Sequence, residues 1–362
     1  MPESYTPPLK KYWDAVTIPP HGWSSEKYFE GSKDHKLRYG YAPAYGDADH
    51  ETSGKTVQGT VVLTHGYGEN IDLYYESIKE YQKRGYDVFA MDFHGQGRSG
   101  RVYPDRPRTP STLGLEQHVA DLDIFIKQIV LPQVDRDKPL IMSTNSMGAH
   151  VGMLYMNKHQ KVFDAAVMSA PMFDIKFLWF PRFVKPAIRF AFNMLSKTCL
   201  RDQHLASKWD TLERWEKAPL SMELSQNHRK EIAAFNNKMY YDKGVDVPTI
   251  GWVTSTFETS NKILNEAFLK EISTPILIGS AGNESFVDNR AHDYVCEHVQ
   301  DSRRVIIPGA NHTIWLESDE NLQLWWSHID DLLDDVHMQR NPDYLPVYID
   351  EASPTQSLFA PR

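Results

Sequence analysis

The chain has 362 residues, of which 41% are hydrophobic and 24% charged, a composition typical of a soluble globular protein with a substantial core. Its formal net charge of −9 argues against a nucleic-acid partner, because such partners require a basic protein face. No apolar stretch reaches the roughly 18 residues that a membrane-spanning helix needs.

The N-terminal residues lack the apolar segment of a signal peptide, so a cytoplasmic location is expected. The two cysteines, Cys199 and Cys296, do not have the spacing of a metal site. A reducing compartment is the simpler interpretation of so few cysteines, and a disulfide between them stays open.

The predicted elements alternate between short strands and helices along most of the chain. Residues 27–43 predict an antiparallel hairpin at the sheet edge with its turn at Ser32–His35, and residues 115–130 have the apolar spacing of a helix. Short apolar runs predict strands at residues 60–66, 87–93, 139–145, 164–170, 274–280 and 303–309. This alternation indicates an α/β fold, with a mainly parallel central sheet covered by helices on both faces.

The alternation stops after Pro171 and resumes with the strand near Thr274. A long insertion between two strands of such a sheet is expected to form a helical cap over their carboxyl ends, where α/β folds bind ligands. We therefore expect an N-terminal extension (residues 1–24), a first core segment (25–171), the cap (172–265) and a second core segment (266–335). A surface or disordered tail (336–362) is expected to follow.

Residues 143–150, STNSMGAH, are similar to the G-x-S-x-G turn that presents a nucleophilic serine, with Thr144 in place of the first glycine. Ser146 follows a predicted strand and precedes a predicted helix, which is the context that this turn requires. Gly148 supplies a small residue on the helix side, and the β-branched Thr144 lies in the strand, where such residues are favoured. Ser146 is therefore a candidate nucleophile, and an ordinary strand-to-helix junction is the alternative.

The loop His65-Gly66-Tyr67-Gly68 directly follows an early apolar strand. Acyl transfer needs backbone N–H groups that bind the oxyanion, and a loop of this kind is one known source of them. The second donor is the residue after the nucleophile. The N–H groups of Tyr67 and Met147 are therefore the candidate oxyanion hole, and a plain turn between strand and helix is the alternative.

A serine nucleophile also needs a base and an acid, which should follow it in the order acid and then histidine. His312 lies in the loop after the last predicted strand and is the candidate base. The loop at residues 281–290 offers Glu284 and Asp288, either of which could hold the tautomer of this histidine and stabilise its protonated form.

Each motif alone has a plain structural interpretation, such as a turn or a surface histidine. Together they occur in the required chain order, each at the end of a predicted strand. Their agreement favours a serine hydrolase that forms an acyl-enzyme on Ser146 and uses no metal and no cofactor.

With these motifs the sequence resembles the α/β-hydrolases, most closely the group of monoacylglycerol lipases, bacterial lysophospholipases and serine aminopeptidase-like hydrolases. The resemblance runs from about residue 25 to 335 and is carried by LTHGYGEN, MDFHGQGRSGR, TNSMGAH, TPILIGSAGNESFVDNR and IIPGANHTIWLESD. It implies a triad of Ser146, Glu284 and His312, because Glu284 stands at the usual position of the acid. It also implies a lipid ester as substrate, either a lysophospholipid or a monoacylglycerol. The chain departs from the usual pattern where Thr144 and Asn145 replace a Gly-His pair and where Glu replaces Asp.

Residues 175–201 are rich in basic and aromatic residues and contain no acidic residue. In a chain of net negative charge, this predicts peripheral contact with anionic lipid headgroups and acyl chains. The alternative is a cap whose aromatic side chains pack on the core and whose basic side chains are solvated. Pro181 and Pro186 are expected to divide the segment into short helices. Its basic residues are Lys176, Arg182, Lys185, Arg189, Lys197 and Arg201.

Residues 95–100, GQGRSG, match the G-x-G-x-x-G pattern of dinucleotide-binding proteins. That pattern should open a helix, whereas the residues that follow are rich in proline. We therefore interpret these glycines as structural.

Other functions stay open on the same residues. An acyltransferase would use the same triad, and a hydrolase-like binding protein would keep the fold without turnover. A dehalogenase or epoxide hydrolase is disfavoured, because the turn carries a serine and not an aspartate. An aminopeptidase would need a cap carboxylate to hold a free amine, and the candidates are Asp210, Glu213, Glu216, Glu223 and Glu231.

Overall fold

The computed structural model describes residues 7–45, 57–111, 113–176, 184–205, 229–230, 232–233, 245–342 and 344. Within them, eight strands form one sheet with the spatial order β1-β2-β4-β3-β5-β6-β7-β8. The strands are β1 (Ser24–Glu30), β2 (Lys36–Ala42), β3 (Gly59–Thr64), β4 (Tyr86–Met91), β5 (Leu140–Asn145), β6 (Ala165–Ser169), β7 (Ile276–Ala281) and β8 (Ser302–Ile307).

Helices connect most of these strands. The described α-helices are α1 (Pro7–Thr17), α2 (Tyr75–Lys83), α3 (Leu115–Ile124), α4 (Met147–Lys158), α5 (Lys185–Ser196), α6 (Ile250–Ile263), α7 (Glu266–Lys270), α8 (Asn289–His298) and α9 (Asp319–Arg340). Short 3₁₀ turns occur at Ile71–Tyr74 and Ile314–Leu316, and α3 continues as a π-helical segment at Phe125–Val130.

The mainly parallel sheet predicted from the sequence is confirmed. Strand β3 pairs in parallel with β4 and β5, and β6, β7 and β8 follow in parallel. The predicted N-terminal hairpin is also confirmed, since β1 and β2 are antiparallel and lie at one edge of the sheet. In its turn, the Gly31 N–H donates to the carbonyl of His35 at 2.8 Å. Parallel strands bring their carboxyl ends to one edge, which is the edge where the candidate site residues were predicted.

Both faces of the sheet are buried, because successive side chains of a strand point to opposite sides. Val62 of β3 packs into a core that includes α3, α4, α6 and α8. Its neighbours Val61 and Leu63 pack into a second core, which includes residues of α1, α2 and α9. This double burial explains why the strands are almost continuously apolar.

The C-terminal helix is longer than the sequence analysis expected. Helix α9 continues to Arg340, past the predicted start of the tail at residue 336. Val336 is buried against the second core, and the ring of His337 makes a 2.7 Å hydrogen bond with the hydroxyl of Tyr86. Because most residues around Val336 and His337 are polar, the apolar spacing of a helix is not evident in the sequence of these last turns.

The insertion between β6 and β7 is described only in part. Residues 206–228 and 234–244 lie outside the described residues, so the boundaries of the cap stay a prediction. Pro186 does not break a helix but lies in the first turn of α5, where proline is compatible with helical geometry. Near the end of the insertion, α6 packs against α3 and α4 and contributes Trp252 and Phe257 to the first core.

Within the described ranges, no helix has both the length and the apolar character that crossing a membrane would require. Cys199 is exposed and Cys296 is partly buried, and both are free thiols rather than partners in a disulfide.

Candidate active site

Ser146 lies in a tight turn between β5 and α4. Its φ of 49° and ψ of −110° are unusual for a residue with a side chain, and such a conformation costs about 1–3 kcal/mol. Two of its main-chain hydrogen bonds join it to the end of β6 and the residues just after it: the Ser146 N–H donates to the Ser169 carbonyl at 2.9 Å, and the Ser146 carbonyl accepts from the Met172 N–H at 3.0 Å. The end of β6 therefore fixes the turn from one side.

The turn accommodates Thr144 because glycines of α4, rather than a glycine at position 144, allow the helix to lie close to the strands. A Cβ atom on Gly148 would lie 2.7 Å from the carbonyl oxygen of His65, and one on Gly152 would lie 2.6 Å from the sulfur of Met142. The methyl group of Thr144 faces Gly152, while its hydroxyl donates to the Val167 carbonyl at 3.2 Å. The departure from the usual glycine is thus tolerated.

The structure brings Ser146, His312 and Glu284 into one continuous chain of hydrogen bonds. The Ser146 hydroxyl lies 2.8 Å from Nε2 of His312, and Nδ1 of His312 lies 2.8 Å from Oε2 of Glu284. With the ring proton on Nδ1, Nε2 is free to accept the serine proton. All three side chains are largely shielded from solvent, and Ser146 is only 6% exposed.

The second oxygen of Glu284 accepts three main-chain N–H groups of its own loop. Oε1 lies 2.7 Å from the nitrogens of Ser285 and Phe286 and 3.3 Å from that of Val287. Burial acts to raise the pKa of this carboxyl, but the hydrogen bond and charge of His312 and the N–H groups outweigh it and lower the pKa. Glu284 is therefore held as an anion that faces the histidine.

The alternative acid, Asp288, has a different position in the fold. Its side chain caps the start of α8 by accepting from the Arg290 N–H, and it forms an ion pair with the Arg290 guanidinium at 2.6 Å. Nδ1 of His312 donates its hydrogen bond to Glu284 instead.

The loop after β3 fixes the peptide between Gly66 and Tyr67. Nδ1 of the buried His65 lies 2.7 Å from the Gly66 carbonyl, while its Nε2 accepts from the Phe93 N–H at 3.1 Å. In a trans peptide the N–H points away from the carbonyl, so this bond also fixes the direction of the Tyr67 N–H. Met147, the other candidate donor, is the first residue of α4, where N–H groups have no partner within the helix.

Two polar side chains near this loop, the partly buried Glu69 and the buried Gln96, were missed by sequence reasoning. Glu69 accepts from the Gly66 N–H at 2.6 Å, from the side-chain amide of Asn145 at 3.2 Å and from the hydroxyl of Tyr74. A carboxylate beside two glycines at a strand end was the available signal, since Glu69 lies within the quoted motif LTHGYGEN. Glu69 thus joins the loop after β3, which holds the candidate oxyanion donor, to the residue that precedes Ser146.

The other missed residue is Gln96, which lies in the stretch GQGRSG. Its side-chain oxygen accepts from the Gly68 N–H at 2.7 Å, and its nitrogen lies 3.6 Å from the sulfur of Met147. The neighbouring Gly97 has a positive φ of 52° and wraps closely around the carboxylate of Asp92. These glycines form a turn rather than the start of a helix, as predicted.

Comparisons with known proteins agree with this fold. Residues 55–319, well over half of the chain, match the family described as serine aminopeptidase, S33. Lysophospholipase L2 of Escherichia coli K12 is 30% identical over 270 residues, which are 72% of this chain and 75% of that protein. Monoacylglycerol lipase of Mycolicibacterium smegmatis is 28% identical over 119 residues, which are 32% of this chain and 38% of that protein.

Among solved structures, a soluble variant of monoglyceride lipase from Saccharomyces cerevisiae matches with a TM-score of 0.66 and 17% identity. The match covers 93% of this chain and 99% of that chain. At such low identity it shows the fold alone, and the fold is that of an α/β-hydrolase, as the sequence motifs predicted. The chain belongs to the serine aminopeptidase (S33) family of α/β-hydrolases.

Proposed function

We propose that this protein is a serine hydrolase that cleaves carboxylic esters of lipids, of the lysophospholipase or monoacylglycerol lipase type. The observation that carries the proposal is the unbroken hydrogen-bond chain from Ser146 through His312 to Glu284. This geometry suits a serine that a neighbouring base activates for attack on a carbonyl.

In the proposed reaction, the oxygen of Ser146 attacks the ester carbonyl while Nε2 of His312 takes the serine proton. His312 then donates that proton to the departing alcohol, and Glu284 stabilises the imidazolium that exists between the two steps. The N–H groups of Tyr67 and Met147 bind the oxyanion. Water, activated by the same histidine, hydrolyses the acyl-enzyme.

A lipid ester is favoured as the substrate because the similar proteins include lysophospholipases and monoacylglycerol lipases. We expect the purified protein to have its highest kcat/KM on a long-chain lysophospholipid or monoacylglycerol, at least about tenfold above a short p-nitrophenyl ester. Rates on a panel of these substrates and on aminoacyl amides measure the preference. A higher kcat/KM on aminoacyl amides would replace the lipase assignment with the aminopeptidase one.

The aminopeptidase alternative has support in the description of the matching family. The carboxylates that would hold a free amine, between Asp210 and Glu231, lie outside the described residues. The acyltransferase and binding-protein alternatives are separated by other measurements: acyl transfer to an added alcohol, and labelling by a fluorophosphonate, which reacts only with an activated serine.

We also propose that α5 contacts the membrane surface, and that its apolar face contributes more to this contact than the basic residues of the segment at 175–201. Phe190 and Met194, one turn apart, are 68% and 50% exposed, and Leu195 beside them is 37% exposed. On the opposite side, Phe192 packs edge-on against Phe257 of α6. An exposed apolar row on a helix that is anchored from behind suits partial insertion into the headgroup region.

We expect the basic residues of this segment to contribute less to membrane contact than the sequence predicted, because several have partners within the protein. Lys185 and Arg189 both pair with the carboxylate of Asp174, and Lys176 donates to the main-chain carbonyl of Glu284 at 2.7 Å. Arg182 lies outside the described residues. The contact is therefore expected to depend more on apolar area than on lipid charge.

Changing Met194 and Phe190 together to serine is expected to lower binding to phosphatidylcholine vesicles by at least about tenfold, since tenfold is about 1.4 kcal/mol and complete burial of each side chain contributes roughly 1.5–3 kcal/mol. Cosedimentation with vesicles, with and without anionic phosphatidylglycerol, measures this. Hydrolysis of a soluble p-nitrophenyl ester should not change. Met338→Ser, on the exposed face of α9, is the matched control. Equal binding of the double variant and the unmodified protein would rule out this contact.

A further inference from the structure

The side chain of Tyr67 connects the oxyanion loop to the returning end of the insertion. Its hydroxyl donates to the main-chain carbonyl of Asp246 at 2.6 Å, although the two residues are 179 positions apart. Its ring packs against Trp252 of α6, with 4.6 Å between the ring centroids. The residue whose N–H is the candidate oxyanion donor is thus attached to the insertion through its own side chain.

Asp246 is itself held at a defined place in the fold. Its N–H donates to the Arg108 carbonyl at 2.8 Å, and its carboxylate forms an ion pair with the Arg108 guanidinium. Nearby, the Leu205 N–H donates to the Pro248 carbonyl at 3.0 Å, which joins the returning segment to an earlier part of the insertion. The position of the Asp246 carbonyl therefore depends on how the insertion lies against the loop that contains Arg108.

Two hydrogen bonds, one to each part of the fold, hold Tyr67 and the peptide that precedes it. His65, within the body of the fold, fixes the carbonyl of the Gly66–Tyr67 peptide, and Asp246, within the insertion, fixes the phenol. Burial, and then the nearby charge of Asp246, raise the pKa of the Tyr67 hydroxyl well above its ordinary value, so the hydroxyl remains a donor throughout the neutral range. Rotation of the peptide would require one of these bonds to break.

We propose that the bond from Tyr67 to Asp246 is a positioning contact, through which the seating of the insertion sets the direction of the Tyr67 N–H in the oxyanion hole. This inference rests on the proposed function, because it assigns that N–H to the oxyanion. Tyr67 then has two roles: its main-chain N–H contacts the reacting oxygen, and its side chain sets where that N–H points. A displaced insertion leaves the serine and histidine in place but lowers the stabilisation of the transition state.

Tyr67→Phe removes the hydroxyl and keeps the ring that packs on Trp252. With p-nitrophenyl butyrate, kcat is expected to fall about tenfold, less than the 10²–10³ that outright loss of an oxyanion donor costs. KM should stay within about twofold, because the substrate itself loses no contact. Affinity for a trifluoromethyl ketone, which forms an oxyanion on the serine, should fall by the same factor as kcat, while fluorophosphonate labelling of Ser146 persists.

Tyr86→Phe is the matched control, since it also removes a buried phenol hydroxyl with a hydrogen bond, here to His337. Its kcat should be unchanged, although both variants lose comparable thermal stability. A Tyr67→Phe protein with unchanged kcat, or a Tyr86→Phe protein whose kcat falls by the same factor as that of Tyr67→Phe, would overturn the coupling and leave the serine hydrolase assignment intact. An unmodified protein that neither hydrolyses esters nor reacts with the fluorophosphonate would overturn both.

The route through Asp246 is tested by Arg108→Gln, which removes the ion pair that holds the insertion's returning segment. This change alone should lower kcat by a few fold. In the Tyr67→Phe background it should have little further effect, because the path that it weakens is already broken. Losses that multiply in the double variant would show that the two residues act independently and would contradict the proposed coupling.

Discussion

Replacing Ser146 by alanine is expected to lower kcat for p-nitrophenyl ester hydrolysis by about 10⁴–10⁶-fold, to the level that oxyanion binding alone supports. The substitution removes only the hydroxyl group, which forms a hydrogen bond with His312. The fold should survive, because the main-chain bonds of Ser146 to Ser169 and Met172 do not involve the side chain. Circular dichroism and thermal unfolding verify this alongside the rate.

Ser143→Ala is the matched control for this experiment. Ser143 lies three residues earlier in β5, and its hydroxyl bonds to that of Tyr81 at 3.0 Å. That variant should retain both ester hydrolysis and fluorophosphonate labelling. A Ser146→Ala protein with more than a tenth of the original kcat would remove Ser146 from the mechanism, whatever the geometry of the turn.

The second large effect concerns the acid. Glu284→Gln is expected to lower kcat by about 10³–10⁴-fold, because an amide does not stabilise the imidazolium and can favour the wrong tautomer of His312. KM should change little, since Glu284 faces the histidine and its own loop rather than the substrate. Steady-state rates on a soluble ester measure both quantities.

Asp288→Asn is the matched change, because it also turns one buried carboxylate of the same loop into an amide. Asparagine caps helices as well as aspartate does, so α8 should remain intact and kcat should stay within a few fold. A larger loss of kcat from Asp288→Asn than from Glu284→Gln would exchange the roles that the hydrogen bonds assign to these residues.

Much of the fold could be predicted from the sequence, because the parallel strands are buried on both faces and therefore read as nearly continuous apolar runs. Runs such as residues 60–66 and 139–145 are expected strands that the structure confirms as β3 and β5. The two ends of the chain were harder. The last turns of α9 are held by contacts such as the hydrogen bond between His337 and Tyr86 of β4, and such distant contacts leave no local pattern.

The candidate site was only partly predictable. The order of the motifs was enough to nominate Ser146, His312 and a carboxylate from the loop at residues 281–290, because parallel strands bring their carboxyl ends together. The choice between Glu284 and Asp288 came from resemblance. Only the tertiary structure shows how their surroundings differ, since Glu284 faces His312 and Asp288 caps α8.

The sequence by itself determined the strand order along the chain, the edge of the sheet that carries the candidate residues and the serine turn, because these depend on local apolar patterning and on short motifs. Only the tertiary structure decided the roles of Glu69, Gln96 and the Tyr67–Asp246 bond, and the pairing of Lys185 and Arg189 with Asp174. The physical reason is that hydrogen bonds and ion pairs depend on distances of a few ångströms between side chains that can be far apart in sequence.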